Sequence, residues 1–386
     1  MKKYRLFFFS LFITLFSFSI FFKSSPVFAE KKGTLIIYTK DTKKKAIKAP
    51  IYVDSEYKGT KKVTLKLSPG RYLVEFGCLD GYTLKRPKKG KKARVKSGKK
   101  KRVTGKYKKP TNSGTPSWII EDGVRLQASG VGLASGSIVA DVSVVRLPDD
   151  TYRAYFYGTG RGVMSATSSD GLTFTVEQGS RMPDGNGMPR VVALGNGSYR
   201  LFFNMFDGIG SAISSDGINF TEESGTRIKA SDFGEYSLTG GSLVTLCDGT
   251  YRMYFSDLPL PDEGLKAHKV YSAVSSDMLN WIAESGVRVG SGSSIDKSAE
   301  HPFVIKKTDG TFRMFFYNNS PTAQWTATSS DGDTWKNAKE TGITKNLAEG
   351  NDPDVVVLPN GKWRIYYGDF DSELGGLIYS AVGSEY

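Results

Sequence analysis

Three acidic residues and one histidine are the best candidates for chemistry in this sequence, because they interrupt a pattern that otherwise repeats. Asp141, Glu300 and Asp352 each stand near the start of a short β-like run, and His301 follows Glu300 directly. Carboxyl groups that converge on one place are unfavourable unless they pair, hold a proton or act in catalysis. Two carboxyl groups that flank a bond, one as acid and one as base or nucleophile, are what glycosidic cleavage requires.

The elements that would position these residues come from an internal repeat in residues 118–386. Each unit contains a turn of the kind found in tight hairpins, followed by an aromatic–arginine pair. The five pairs are Tyr152-Arg153, Tyr199-Arg200, Tyr251-Arg252, Phe312-Arg313 and Trp363-Arg364. They are separated by 47, 52, 61 and 51 residues. Units of four short strands at this period predict an all-β fold with a five-bladed β-propeller.

The two ends of the repeat predict how the propeller closes. The sequence stops after the third strand of its fifth unit, so the last blade lacks an outer strand. Residues 118–125 have the outer-strand pattern but precede the first unit. We therefore expect this segment to complete the last blade, which would remove an exposed sheet edge.

The repeat also locates the mouth of the central channel, because the innermost strand of each blade lines that channel. Counting back eleven residues from each aromatic gives one mouth position per blade, occupied by Asp141, Met188, Gly240, His301 and Asp352. The preceding residues are Ala140, Gly187, Thr239, Glu300 and Asn351. Residues present in every blade are expected to stabilise the fold. The acidic residues and His301 break the repeat in blades 1, 4 and 5, which are neighbours in a closed ring, and are therefore candidates for function.

Residues 118–386 resemble the five-bladed propeller glycoside hydrolases of the arabinanase, xylosidase and invertase-like clan. Glu300-His301-Pro302 looks like the clan's acid segment, and Ala140-Asp141-Val142 and Asn351-Asp352-Pro353-Asp354 look like its Asp segments. The resemblance implies that Glu300 is the general acid, that Asp141 or Asp352 is the base, and that the remaining Asp tunes its neighbours. We expect no cofactor and no structural metal site, and a cation bound in the channel stays open.

Further residues near the mouth are candidates for substrate binding. The C–H face of a sugar stacks on aromatic rings, while carboxylates and amides bind its hydroxyl groups. The candidates are His301, Asn351, Asp354, Trp325, Tyr236, Phe206, Phe370, Asp184 and Glu235. For each ring, ordinary loop packing is the alternative.

The formal net charge of +14 is concentrated before the repeat. Residues 30–110 contain 27 Lys and Arg against 6 Asp and Glu, whereas residues 111–386 contain 22 against 33. The acidic repeat region therefore argues against a nucleic-acid partner. Residues 30–84 predict a small β-sandwich-like domain that resembles the PEGA type, on motifs such as Leu67-Ser68-Pro69-Gly70-Arg71-Tyr72. We expect residues 85–117 to be a lysine-rich tail and linker that binds an anionic cell-surface polymer, or else a solvated strand pair.

The first 29 residues predict export. Lys2, Lys3 and Arg5 precede an apolar run over residues 6–22, and Ala29 closes a stretch that a signal peptidase would cleave. We expect a secreted, periplasmic or cell-surface protein with no membrane span after cleavage, an uncleaved anchor being the alternative. Cys78 and Cys247 are expected to be unpaired core thiols, although one bridge between them stays open.

Two functions follow from these features. The first is an exported glycoside hydrolase that acts on a poly- or oligosaccharide through the carboxylates at the channel mouth. The second is a non-catalytic propeller that binds glycan or protein at the cell surface. The sequence alone does not separate the two.

Overall fold

The structure is a computed structural model that describes residues 31–80, 82–87, 90–109, 117–183, 186–258, 268–319, 322–343 and 350–384. The predicted signal peptide, residues 1–29, and Asp184 lie outside these residues. The described chain is all-β apart from two single 3₁₀ turns, Ser129–Val131 and Ala230–Phe233. Among the described residues, no helix is long and apolar enough to cross a membrane.

The N-terminal unit is a sandwich of two four-stranded sheets. Its strands are β1 Gly33–Asp41, β2 Pro50–Val53, β3 Glu56–Thr60, β4 Lys62–Leu67, β5 Gly70–Phe76, β6 Thr83–Arg86, β7 Lys91–Val95 and β8 Lys100–Lys108. Sheet A has the order β4-β1-β8-β6 and sheet B the order β3-β2-β5-β7. Leu35, Ile37, Ile51, Val74 and Val103 are buried between the sheets. The predicted small β-sandwich-like domain is therefore confirmed.

The domain extends further than the predicted boundary at residue 84. Strand β8 lies in the middle of sheet A, parallel to β1, so the lysine-rich segment belongs to the sandwich instead of forming a tail. Val103 and Tyr107 are buried in alternation with exposed basic residues, which is the pattern of a strand with one buried face. Gly105 completes that pattern, because a Cβ atom there would lie 2.5 Å from the ring of Phe76. Frequent lysines concealed this alternation in the sequence.

The C-terminal unit is the predicted five-bladed propeller. Blade 1 contains β11 Val139–Arg146, β12 Tyr152–Gly158, β13 Gly162–Ser168 and β14 Thr175–Val176. Blade 2 contains β15 Arg190–Ala193, β16 Tyr199–Met205, β17 Gly208–Ser214 and β18 Thr221–Lys229. Blade 3 contains β19 Ser237–Thr245, β20 Tyr251–Leu258, β21 Val270–Ser275 and β22 Trp281–Ala283. Blade 4 contains β23 Glu300–Lys306, β24 Phe312–Asn319, β25 Thr322–Ser329 and β26 Trp335–Glu340.

Blade 5 combines both ends of the repeat region. Its strands are β27 Asn351–Val357, β28 Lys362–Asp371, β29 Gly375–Ser384 and the two short strands β9 Trp118–Ile120 and β10 Leu126–Gln127. Strand β9 pairs with β29 through Ile120 and Ala381, and β10 pairs with it through Leu126 and Ile378. The predicted closure of the ring is confirmed.

The recurring arginines form ion pairs in blades 1, 2, 3 and 5, where they stabilise the sheet as expected. In blade 2, Arg200 forms an ion pair of 2.9 Å with Glu223, and the hydroxyl of Ser211 donates to the same carboxylate. The equivalent pairs are Arg153–Glu177, Arg252–Glu284 and Arg364–Glu121. The last pair joins β28 to the segment after β9, so it also fixes the closing strand.

The two cysteines form a disulfide bond, so the expectation of unpaired thiols was wrong. The bond joins Cys78 of the sandwich to Cys247 in the hairpin between β19 and β20. Lys306 adds an ion pair of 2.8 Å with Asp80. Because 169 residues separate the two cysteines, only the folded chain brings them together. The sandwich is thus attached to blades 3 and 4 at the hairpin ends of their inner strands, away from the channel mouth.

We predict that deletion of residues 117–127 abolishes soluble, cooperatively folded protein, because the edge of β29 would then be exposed. Thermal melting and size-exclusion chromatography of the purified variant measure this. The control is Ile119→Ser in the same strand, where the side chain already faces solvent and melting should change little. A soluble deletion variant with a single sharp melting transition would contradict the account of closure.

Candidate functional site at the channel mouth

The five predicted mouth positions share one backbone conformation. All lie in the left-handed region, with φ values of 57° at Asp141, 51° at Met188, 55° at Gly240, 47° at His301 and 49° at Asp352. In four blades this residue forms a β-bulge against the second strand. Because all five blades share the conformation, it belongs to the fold. What differs between the blades is the side chain that each bulge holds at the mouth.

Asp141, His301 and Asp352 form one compact cluster. Nδ1 of His301 and Oδ1 of Asp352 form an ion pair, and the backbone N–H of Asp141 donates to Oδ2 of Asp352 over 3.4 Å. One ligand atom from each of the three side chains lies within 4.8 Å of the others. The inner strands of blades 4, 5 and 1 pack in sequence around the ring, as the closed propeller requires. Gly240 leaves room for this cluster, because a Cβ atom there would lie 3.1 Å from the His301 ring.

The cluster separates the pKa values of its members. Burial, followed by the negative charge of Asp352, raises the pKa of Asp141 to about 7. Burial opposes the charging of His301, but the charge of Asp352 and its hydrogen bond prevail and raise the pKa of His301 to about 9. Burial likewise opposes the charging of Asp352, but His301 holds the pKa of Asp352 below its usual value. At neutral pH the cluster therefore contains a His301–Asp352 ion pair beside an Asp141 that titrates.

Glu300 lies in a second, separate network. Its Oε1 atom accepts a hydrogen bond of 2.9 Å from Nδ2 of Asn319 and lies 3.2 Å from Nε2 of His268. Nδ1 of His268 lies 3.1 Å from the carbonyl oxygen of Asp257, which can only accept, so Nδ1 carries a proton. No described residue bonds Oε2 of Glu300. One oxygen of this carboxyl group is therefore held in place, and the other is available to a substrate.

His268 and Asn319 were not predicted from the sequence. They lie where strands of blades 3 and 4 begin or end, and no repeated motif marks them. Burial opposes the charging of His268, yet hydrogen bonding to Asp257 and the charge of Glu300 raise its pKa. One signal was present in the composition. The chain contains only two histidines, and both of them contact a candidate carboxylate.

Asp354 does not occupy the surface that a substrate reaches, which corrects its assignment to substrate binding. It is 2% exposed, forms an ion pair with Arg190 and accepts the backbone N–H of Val144 over 2.9 Å. Arg190 also donates to the carbonyl oxygen of Gly241 over 2.8 Å. Asp354 thus ties blade 5 to blades 1 and 2 inside the ring. The bulge at Asp352 explains the error, because it breaks the two-residue alternation that would place both Asp side chains on one face.

Three other predicted residues lie near the mouth but have partners within the protein. Trp325 is half-buried against the core between blades 3 and 4, with the Lys297 ammonium 5.1 Å from its ring centre. Glu235 accepts a hydrogen bond from the hydroxyl of Tyr271 and lies 3.6 Å from the Lys269 ammonium. Asn351 is half-buried beside Gly368 in the neighbouring strand. For Trp325 and Glu235, packing and pairing account for the position.

The remaining predicted aromatics are exposed. Phe206 is 78% exposed and Tyr236 46% exposed, and their rings meet edge to face with centres 5.3 Å apart. Phe370, in blade 5, is 45% exposed. These rings form the apolar part of the rim above the mouth.

The space among the mouth residues is very small. The cavity that Met188, Pro189, Gly240 and the Asp141–His301–Asp352 cluster line has a volume of about 10 Å³, which is about the room that one ordered water needs. One cation is the largest cofactor that these side chains could hold, but His301 and Asp352 already bond to each other. A ligand much larger than one water therefore does not fit among these side chains.

Sequence similarity to known proteins covers only part of the chain. No known family profile matches the chain. An uncharacterized protein of Mycobacterium tuberculosis is 28% identical over 131 residues, which are 31% of this chain and 43% of that protein. The chain thus spans less than half the length of the curated relative it matches.

Solved structures match the propeller. An endo-arabinase from Bacteroides thetaiotaomicron is 16% identical, with a TM-score of 0.51, over 69% of this chain and 98% of that one. A putative exo-β-1,3-galactanase from Bifidobacterium bifidum is 16% identical, with a TM-score of 0.51, over 68% and 93%. A thermostable family-43 glycoside hydrolase is 17% identical, with a TM-score of 0.50, over 67% and 92%. The C-terminal two-thirds of the chain therefore has the propeller fold of these enzymes.

The mouth cluster predicts that the free energy of unfolding falls as pH rises from about 6.5 to 9. The pKa of His301 is raised from 6.5 to about 9, so its stabilisation is complete below pH 6.5 and is lost as pH passes 9. The raised pKa of Asp141 adds a loss in the same direction that runs from about pH 3.8 to 7, so most of that loss is complete before this range begins. The loss that comes from His301 is on the order of 3 kcal/mol. Denaturant unfolding at several pH values measures the slope.

Two variants assign this slope to the cluster. Asp352→Asn removes the charge that raises the pKa of His301, so the slope should flatten whatever the variant's overall stability. Asp277→Asn is the control, because Asp277 caps a turn and its pKa is lowered, outside this pH range. A slope that persists in Asp352→Asn would refute the role of the His301–Asp352 pair.

Proposed function

We propose that the propeller hydrolyses glycosidic bonds in a poly- or oligosaccharide outside the cell. The observation that carries this proposal is the gathering of carboxyl groups from blades 1, 4 and 5 at the channel mouth, where blades 2 and 3 hold Met188 and Gly240. The propeller fold shared with an endo-arabinase and a family-43 glycoside hydrolase supports it. Export rests on the predicted signal peptide of residues 1–29.

In the proposed reaction Glu300 is the general acid. A proton on Oε2 passes to the glycosidic oxygen as the bond between that oxygen and the anomeric carbon breaks. Asn319 and His268 fix Oε1, so the side chain does not have to be ordered when substrate binds. The other product, the sugar with the cleaved carbon, must then be captured by an oxygen nucleophile.

Asp141 is the better candidate for base or nucleophile than Asp352. Asp352 is buried, with one oxygen paired to His301 and the other accepting the backbone N–H of Asp141, whereas Asp141 is only half-buried. As a base, Asp141 takes a proton from the water whose oxygen bonds to the anomeric carbon. As a nucleophile, it bonds to that carbon itself and water releases it later. Asp352 acts through Asp141, because its charge keeps the pKa of Asp141 near the working pH.

We expect Glu300→Gln to lower hydrolysis by about 10²- to 10⁴-fold, because glutamine preserves the size of the side chain but cannot transfer the proton. The assay measures reducing ends released from arabinan, xylan and β-1,3-galactan. Glu235→Gln is the matched control, since that rim carboxylate already bonds Tyr271, and it should retain activity. Full activity in Glu300→Gln would disprove the assignment. A large loss of melting temperature would instead make Glu300 structural.

A second candidate function is glycan binding without cleavage. The observation that favours it is the closed His301–Asp352 pair over a cavity that holds about one water. In that case the wild-type chain releases no reducing ends from any of the three glycans. Glu300→Gln would then leave its glycan affinity nearly intact.

We also propose that the sandwich attaches the protein to an anionic polymer of the cell surface. Alternation along the strands of sheet A places eight basic residues on its outward face, which Ile36 and Tyr38 share. The outward cations are Lys40, Lys62, Lys66, Arg86, Lys100, Arg102, Lys106 and Lys108. In the described strands of sheet A no acidic side chain shares this face. The resemblance to PEGA-type domains and the expected export agree with such a role.

Charge placement, and not only net charge, should decide this attachment. Lys62, Arg102 and Lys106 replaced together by Gln should weaken retention of the full chain on polygalacturonate beads. Arg71, Lys92 and Arg94 replaced by Gln are the control, because they change the charge equally on sheet B. Retention should vanish toward about 1 M salt, where the screening length is about 3 Å. Equal effects of the two triple variants would refute a binding face on sheet A.

A further inference from the structure

The repeat gives every blade one equivalent position on the rim above the mouth. The residue that precedes each mouth position lies opposite a residue of the second strand of the same blade. We call the residue that stands two positions after this opposite residue the rim position of the blade. The five rim residues, in blade order, are Thr159, Phe206, Leu258, Asn319 and Phe370. Leu258, Asn319 and Phe370 lie in their strands, about 7 Å along the strand from the residue that pairs beside the mouth. Thr159 and Phe206 lie in the turns that directly follow their strands. All five are therefore at the end of the second strand, on the face of the ring that carries the mouth.

Blades 2 and 5 carry phenylalanine at this position, and both rings are exposed. Phe206 has a partner, because Tyr236 meets it edge to face from the segment that leads into blade 3. A single exposed apolar residue needs no explanation, but two equivalent aromatic positions, one of them paired, leave apolar surface facing solvent without a partner in the described structure. The chemistry of these rings suits the C–H faces of sugars.

The positions of these aromatic side chains around the closed propeller give the direction in which the ligand lies. Blade 1, which carries Asp141, lies between blade 2 and blade 5. Phe206 with Tyr236 therefore stands on one side of Asp141, and Phe370 stands on the other. A ligand that touches both sides passes along blade 1, which carries Asp141.

The described residues at the mouth leave no room among them for the end of a chain. Pockets that enclose small ligands measure roughly 300–1,000 Å³, whereas the cavity among these residues measures about 10 Å³. The described mouth residues therefore do not form a pocket that encloses a terminal sugar, and a chain held from the rim on both sides needs no such pocket.

We propose that an extended glycan chain lies across the open mouth, stacked on Phe206 and Tyr236 at one side and on Phe370 at the other. This inference rests on the proposed hydrolytic function and names its substrate as a chain cut at an internal bond. Water adds across that bond, so one hydroxyl joins the anomeric carbon, one hydrogen joins the leaving oxygen, and two oligosaccharides result. The rings hold several sugars on either side of the bond that Asp141 and Glu300 flank.

Binding is tested in the full chain carrying Glu300→Gln, by affinity electrophoresis in gels that contain arabinan, xylan or β-1,3-galactan. In that background Phe206→Ala and Phe370→Ala should each weaken retardation by the best glycan about tenfold. Phe206→Trp should restore it, because a larger ring offers the same stacking surface. Tyr57→Ala is the control, since Tyr57 is an exposed aromatic of the sandwich that pairs with another tyrosine.

Product lengths in the otherwise unsubstituted enzyme give the second measurement. Early products should be oligosaccharides of several lengths, and Phe206→Ala should shift them or raise KM for long chains more than for short ones. Immediate release of a single sugar, unchanged retardation in both alanine variants, or no retardation by any glycan would overturn the inference. If the alanine variants weaken retardation but the unsubstituted chain hydrolyses no glycan, only the proposed hydrolytic function is overturned. If hydrolysis is lost in Glu300→Gln but is unchanged in Phe206→Ala and Phe370→Ala, only the inference that a glycan chain crosses the mouth is overturned.

Discussion

Closure of the ring is the constraint on which the rest of the propeller depends. Hydrogen bonds between β29 and the two short strands β9 and β10 join the ends of the repeat region, and the Glu121–Arg364 ion pair fixes that seam. Only in a closed ring does the inner strand of blade 5 pack against that of blade 1. That contact brings Asp352 to the backbone of Asp141 and Asp354 to Arg190 of blade 2. The mouth cluster therefore exists because the last blade is completed by the first strands.

The same left-handed backbone position holds side chains that differ between the blades around the channel. It places a glycine in blade 3, where space is needed, and ionisable side chains in blades 1, 4 and 5. The His301–Asp352 pair fills the centre with one positive and one negative charge, which leaves Asp141 as the group that titrates near neutral pH. Glu300 is held apart by a different histidine. Separate partners for the two carboxyl groups are what an acid and a base with different tasks require.

The repeat made most of the propeller predictable, because five copies of one pattern show which residues recur in every blade and which differ. The five mouth positions found by counting from the aromatic–arginine pairs all have the same φ, and the outer strand of blade 5 is where the unmatched pattern placed it. Contacts between distant segments were not predictable in this way. The Cys78–Cys247 bond, and the contacts of His268 and Asn319 with Glu300, depend on where strand ends meet in space. The place of strand β8 inside the sandwich was missed because its exposed lysines outnumber the buried residues that define it, and Asp354 was misplaced because a bulge intervenes.

The central claim is that this chain adds water across a glycosidic bond at the mouth of its propeller. The most direct measurement is digestion of arabinan, xylan and β-1,3-galactan in water enriched in heavy oxygen, followed by mass spectrometry of the new reducing ends. The account predicts one heavy oxygen at each new end with the unsubstituted chain and no new ends above background with Asp141→Asn. Unlabelled new ends, or labelled ends that persist in Asp141→Asn, would contradict it.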